Sequence, residues 1–281
     1  MKVVKYSVMN SHQRVLYETL RVFDQLCVKH SIPYVLDFGT LLGAIRDKGF
    51  IPWDDDIDIA MLRKDYEEFC RVVAPELPDY LVLQNHVVQP KYLSLLPKIR
   101  NTTYDIQEYA FRNVDVTRGA WLDIFIYDNI PDDLGEREKY LTKVVRKHDI
   151  FFLQNSVYGI TDRSHPKEYV KAVLARVNKL LSHSKAWRRH IRKSFFSLET
   201  LVRKYENVSC ADTTITHFRS SKKELKDTAL STEDFDDVIR WQFEDASFPV
   251  PANYDLHLRK LYGKYWELPP ENERKPKHPL G

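Results

Sequence analysis

The sequence predicts an α/β protein in two parts: strands interleaved with helices over residues 1–130, then a mostly helical region over residues 131–281. Three observations lead there. Short apolar runs bounded by Pro or Gly recur between helical patterns as far as Trp121–Tyr127. Helical spacing then takes over from residue 134 to residue 205. Within the first part stands an acidic run, Asp54, Asp55, Asp56 and Asp58, in which Ile57, Ile59 and Ala60 begin to alternate with the carboxylates. A solvated acidic loop has no reason to carry that apolar alternation.

The elements follow in order. Val15, Leu16, Leu20, Phe23, Leu26 and Cys27 recur at helical spacing and predict an amphipathic helix over residues 11–30, which Pro33 ends. Tyr34–Phe38 reads as a short strand. Gly39–Thr40 turns the chain into a short helix over Leu41–Arg46, and Lys48–Pro52 loops back. The Asp-rich strand comes next, then a helix over Lys64–Ala74 closed by Pro75 and Pro78. Tyr80–Gln84, Leu93–Arg100 and Trp121–Tyr127 are the remaining strands. Residues 134–154, 167–181 and 186–205 carry helical spacing, and a last helix is expected over Leu256–Tyr262 in a stretch rich in Pro and aromatics.

Composition bounds the class. Hydrophobic residues at 43% and charged residues at 30% are ordinary for a globular chain of 281 residues. The N-terminal residues show no signal-peptide pattern, and no apolar run approaches the ~20 residues that cross a bilayer. Three scattered cysteines, Cys27, Cys70 and Cys210, lack metal-ligand spacing and fit a reducing compartment, so a cytoplasmic location is expected. The net charge of +3 hides an asymmetry, because residues 143–204 hold 15 Lys or Arg against four acids. A basic region of this kind favours nucleic acid, anionic lipid or a phosphorylated substrate.

The acidic run carries the chemistry. On a strand, Asp56 and Asp58 share one face and repel each other unless a cation sits between them. Hard oxygen ligands suit Mg²⁺ or Mn²⁺, and Mg²⁺ commonly joins one or two carboxylates to substrate phosphates. A third carboxylate belongs on a neighbouring strand, and Asp123 in WLDIFI is the candidate, since a buried Asp needs a partner. The alternative for Asp123 is a strand-end residue bonded to a loop; for Asp54 and Asp55 it is a solvated loop or strand cap. Gly39 and Thr40 can bring backbone N–H groups to a phosphate, although a plain turn explains the same pair. An EF-hand places Asp54, Asp56 and Asp58 at positions 1, 3 and 5, but puts Ile59 where the loop requires Gly, and fails. A metal-dependent phosphohydrolase would use the same oxygen-rich site.

The run DFGTLLGAIRDKGFIPWDDDIDIAMLRKDYEEF closely resembles the signature of the LicD family, the bacterial phosphocholine transferases related to fukutin-type proteins. Three further blocks fit in order: Pro97–Thr103, Gly119–Asp128 and Phe248–Arg274. The resemblance implies a nucleotidyltransferase-like mixed sheet with flanking helices and a Gly39–Thr40 turn on nucleotide phosphates. It also implies a divalent cation, Mg²⁺ or Mn²⁺, held by Asp56, Asp58 and Asp123. The implied reaction moves phosphocholine from CDP-choline onto a sugar of a cell-surface polysaccharide, lipopolysaccharide or teichoic-acid precursor, with CMP leaving. Asp123 would orient or deprotonate the acceptor hydroxyl. Arg46, Lys98 and Arg100 are candidates to bind phosphate oxygens, the alternative being salt bridges to the acidic cluster. Another CDP-activated group, glycerol or ribitol phosphate, stays open. Trp53, Trp121, Tyr265 and Trp266 are candidates for a cage around a choline head, or plain core residues.

The implied partners are a CDP-activated donor and a glycan acceptor, which lipid linkage would carry to a membrane. Lys185–Phe196 interleaves aromatics with basic residues and fits either peripheral contact with anionic lipid at the inner face of the plasma membrane or a helix with a solvated basic side. No RRM, KH or helix-turn-helix pattern supports nucleic-acid binding. A scaffold that keeps the fold without turnover is the non-enzymatic rival, against which the intact Asp56, Asp58 and Asp123 stand.

Overall fold

The computed structural model describes residues 9–276, apart from 109–110, 112–113, 156–172, 174–175, 179 and 217–220. Helix α1 (Ser11–His30) opens on a reciprocal cap. The Asn10 side chain accepts from the Gln13 N–H while the Gln13 side chain accepts from the Asn10 N–H. Ser31, left-handed, closes the helix onto the carbonyls of Cys27 and Val28. The expected stripe of Leu16, Leu20, Phe23 and Cys27 is buried.

The central sheet is mixed. Strands β1 (Val35–Leu36), β2 (Ile57–Leu62), β3 (Leu81–Gln84), β4 (Lys98–Asn101) and β5 (Ala120–Asn129) lie in the order β1-β2-β5-β4-β3. β2 and β5 run parallel, and the other neighbours on this path are antiparallel. β6 (Asp212–Thr214) pairs with the far end of β5, and β7 (Leu230–Ser231) pairs with β6. Alternation along the strands feeds two cores. Ile57, Ile59 and Met61 of β2 and Leu122, Ile124 and Ile126 of β5 pack with α1 on one face. Ala60, Leu62, Phe125 and Tyr127 pack on the other with helices α4 (Leu134–Asn155) and α5 (Lys185–Val202). Each large apolar side chain so buried contributes about 1.5–3 kcal/mol.

Between β1 and β2 the chain forms α2 (Phe38–Leu42), which widens into a π-type turn at Gly43–Asp47. The helix after β2, α3 (Arg63–Glu68), widens in the same way at Phe69–Val73. β1 is shorter than the expected Tyr34–Phe38 strand because Phe38 turns to a φ of 40° and leaves the sheet. β4 likewise takes only the end of Leu93–Arg100, since Pro97 offers no N–H to a ladder. The helix expected over 167–181 lies mainly outside the described residues.

Beyond residue 131 the chain carries β6 to β9 as well as helices, so this part is less helical than its periodicity predicts. β8 (Val238–Phe243) and β9 (Ala246–Pro251) form a hairpin, preceded by α6 (Lys222–Asp227) and followed by α7 (Tyr254–Tyr262). Phe243, Phe248, Val250 and Leu258 enter the same core as α1. The Glu244 carboxylate accepts from the Phe50 N–H at 2.9 Å, and its own N–H donates to the Lys48 carbonyl at 2.8 Å. The C-terminal block therefore braces the loop that leads into the aspartates. Among the described residues no helix is long and apolar enough to cross a membrane. Lys185, Arg188, Arg189, Arg192 and Lys193 of α5 are all exposed.

Candidate active site

Strand register assembles the site. Asp58 on β2 lies directly beside Asp123 on the parallel strand β5, and Asp123 lies beside Lys98 on β4. All three point to the face that carries Ala60 and Phe125, just before the second core begins. Asp56 precedes β2 by one residue and joins the same face. Carboxylate oxygens of Asp56, Asp58 and Asp123 come within 4.8 Å of one another, and all three side chains are buried. The trio expected from the sequence is thus brought together.

The electrostatics fit a cation. Burial, followed by the charges of Asp56, Asp123, Asp54 and Asp37, holds the Asp58 carboxyl well above its ordinary range. Three buried carboxylates of hard oxygen character with this mutual repulsion are a donor set suited to Mg²⁺ or Mn²⁺. Asp54, Asp55 and Asp56 form a second close acidic group that shares Asp56. Asp55 is buried rather than solvated, because the loop is drawn against α1. His12 Nε2 bonds the Asp55 carbonyl at 2.8 Å, and Gln13 Nε2 donates to the carbonyls of Asp54 at 3.0 Å and Ile51 at 3.3 Å.

The Gly-Thr turn meets the same carboxylates. The Gly39 N–H donates to Asp58 Oδ2 at 3.2 Å, and Thr40 Oγ1 accepts from the Asp58 N–H at 2.8 Å. A Cβ on Gly39 would come within 2.8 Å of Asp54 Oδ2, so glycine here lets that carboxylate approach the turn. Lys98 Nζ lies 2.5 Å from Asp123 Oδ1 and 3.5 Å from Glu108, a buried ion pair with the acidic cluster.

Two of the expected cationic residues point elsewhere. The Arg100 guanidinium is buried, donating to Gln84, the Gly119 carbonyl and Glu108. Arg46 chelates the neighbouring Asp47 and reaches the Tyr265 carbonyl. The aromatic candidates do not converge. Trp121 is fully buried with Lys98 and Arg100 against its ring, Arg274 lies 6.0 Å from Trp53, and Arg259 covers Trp266 beside Tyr265.

Several residues of the site escaped the sequence. Asp37 continues β1 opposite Asp58, its N–H donating to the Asp58 carbonyl at 3.1 Å. Its carboxylate accepts from the Phe38 N–H, the Tyr127 hydroxyl and His257 Nε2, each at 2.7 Å. His257 comes from α7 and is buried. Only the alternation of Asp37 with Val35 hinted at this face; nothing local marks His257.

Residues 31–151 match the family described as LicD/FKTN/FKRP, nucleotidyltransferase domain. Over 277 residues the chain is 30% identical to the lipopolysaccharide cholinephosphotransferase LicD of Haemophilus influenzae, covering 98% of this chain and 97% of that protein. It is also 26% identical over 173 residues to an uncharacterised protein of Rickettsia prowazekii, covering 59% of this chain and 55% of that one. An uncharacterised protein of Rickettsia typhi is 27% identical over 140 residues, 41% of this chain and 45% of its own. With the aspartate trio assembled across β2 and β5 and a relative matched over nearly its whole length, the chain belongs to the LicD family.

Proposed function

We propose that the protein is a metal-dependent phosphotransferase that moves phosphocholine from CDP-choline onto a sugar hydroxyl of a cell-surface glycan such as lipopolysaccharide. The observation that carries this reading is the convergence of Asp56, Asp58 and Asp123 beside the Gly39–Thr40 turn. The near full-length similarity to a lipopolysaccharide cholinephosphotransferase supports the choice of group and acceptor. Asp56, Asp58 and Asp123 would hold Mg²⁺ or Mn²⁺, which supplies charge neutralisation on the donor diphosphate. Lys98 fixes the Asp123 carboxylate at 2.5 Å. Asp123 orients the acceptor hydroxyl and takes its proton. The acceptor oxygen then bonds to the phosphocholine phosphorus as the bond to CMP breaks. The exposed basic side of α5 suits an acceptor carried on anionic lipid.

The test follows CMP release and choline transfer by ³¹P NMR, with deacylated lipopolysaccharide as acceptor and CDP-choline, CDP-glycerol and CDP-ribitol as parallel donors. Transfer with CDP-choline that stops in EDTA and in Asp56→Asn is the expected result. CMP release without acceptor would make the protein a hydrolase. Turnover with glycerol or ribitol donors alone would replace the head group.

A further inference from the structure

Helix α7 packs against α2, the segment that begins with the Phe38-Gly39-Thr40 turn. His257 locks α7 to Asp37 at 2.7 Å, and buried Leu258 joins the core that holds Leu41 and Leu42. Tyr262 follows Leu258 by four positions, one helical turn, and so lies on the same side of α7. Its hydroxyl has no hydrogen-bond partner among the described residues, although the charges of Asp58, Asp37, Asp54 and Asp56 all act on it. Burial first, and those charges second, push its pKa well above 10, so the phenol is a neutral donor. Tyr262 as a whole is 37% exposed, which leaves the ring's flank open while its hydroxyl end faces the carboxylates.

A tyrosine hydroxyl held away from water and without a partner is costly unless a ligand completes it. An anion entering a centre lined by four carboxylates needs neutral donors in addition to a cation. Lys98 is already engaged by Asp123 and Glu108, and Arg100 by three other groups. We propose that Tyr262 is a substrate-binding residue of this centre, its hydroxyl donating a hydrogen bond to a phosphoryl oxygen of a diphosphate-bearing donor. The inference rests on the phosphotransferase reading of the same site.

The test uses inorganic pyrophosphate with Mg²⁺ as the probe, titrated calorimetrically into the full-length wild type, Tyr262→Phe and Tyr254→Phe. Tyr254 stacks on Trp241 at the other end of α7 and serves as the control. Removing one hydrogen bond to a charged oxygen should weaken pyrophosphate binding by roughly tenfold or more in Tyr262→Phe. Tyr254→Phe should bind as wild type, and all three proteins should share a melting temperature. Equal pyrophosphate affinity in Tyr262→Phe and wild type overturns the inference, and so does a wild type that takes up no pyrophosphate. A tenfold loss in a protein that transfers nothing from CDP-choline would retain the phosphate contact and discard the donor assignment.

Discussion

Replacing Asp58 with Asn should make the metal-free protein more stable while removing its response to metal. Carboxylate oxygens of Asp56, Asp58 and Asp123 lie within 4.8 Å of one another. Two unit charges at that separation repel by about 3.5 kcal/mol at an effective dielectric of about 20. Asp58 feels two such neighbours, but Lys98 offsets part of the Asp123 charge, and protonation of Asp58 caps the penalty. Asn keeps an oxygen for the Gly39 N–H and removes the charge, so a gain of about 2–4 kcal/mol is expected. For a chain of 281 residues that is roughly 4–8 °C in melting temperature.

The pH dependence has a definite sign. The Asp58 carboxyl binds its proton more tightly in the folded state than at its ordinary value of 3.8. Wild-type stability from this group is therefore intact below about pH 3.8 and is lost as pH rises through the raised folded value. Wild type and Asp58→Asn should converge in acid and separate toward neutrality. The assay is thermal melting in EDTA from about pH 4 to pH 8, repeated with Mg²⁺. At 100 times its dissociation constant the ion stabilises wild type by ~2.7 kcal/mol, and the variant should gain far less. A variant that melts below wild type in EDTA near neutrality, or that gains equally from Mg²⁺, would refute the placement of these charges.

Other substitutions probe the supports of the site. Gly39→Ala should leave the melting temperature within a few degrees but displace the Asp54 carboxylate, lowering transfer by roughly tenfold in a steady-state assay. Gln13→Leu removes the donors that hold the carbonyls of Asp54 and Ile51. It should reduce stability by about 1–3 kcal/mol, read by urea unfolding, and weaken Mg²⁺ binding, read by calorimetry. The Asp65 carboxyl, pushed up to about 6 by burial, should titrate above other surface carboxylates by ¹³C NMR. Its contribution to stability declines as pH rises from about 4 through about 6, and Asp65→Asn should flatten that slope.

Much of the site was legible because its signals are local. Asp56, Ile57, Asp58 and Ile59 announce a strand with one apolar and one acidic face, and Asp123 announces itself by standing inside WLDIFI. What the sequence hides is set by distant partners. Arg100 alternates with Lys98 on β4 just as a phosphate ligand would, yet Gln84, Glu108 and the Gly119 carbonyl claim its guanidinium. The β8–β9 hairpin alternates visibly in VIRWQF, but its tight turn uses Glu244 at a φ of 57° where Asn-Gly would have marked it. Asp37 and His257 lie 220 positions apart, beyond the reach of any spacing rule.

That separation also orders events in time. Contacts of long sequence separation close late in folding, after local helices and neighbouring strands have formed. During synthesis, all three aspartates and the Gly-Thr turn leave the ribosome well before residue 257, the last clasp on the turn. A prematurely terminated chain thus carries every acidic ligand without the helix that steadies them. Competence arrives with the final few dozen residues, so the cell gains no active fragment from an unfinished copy.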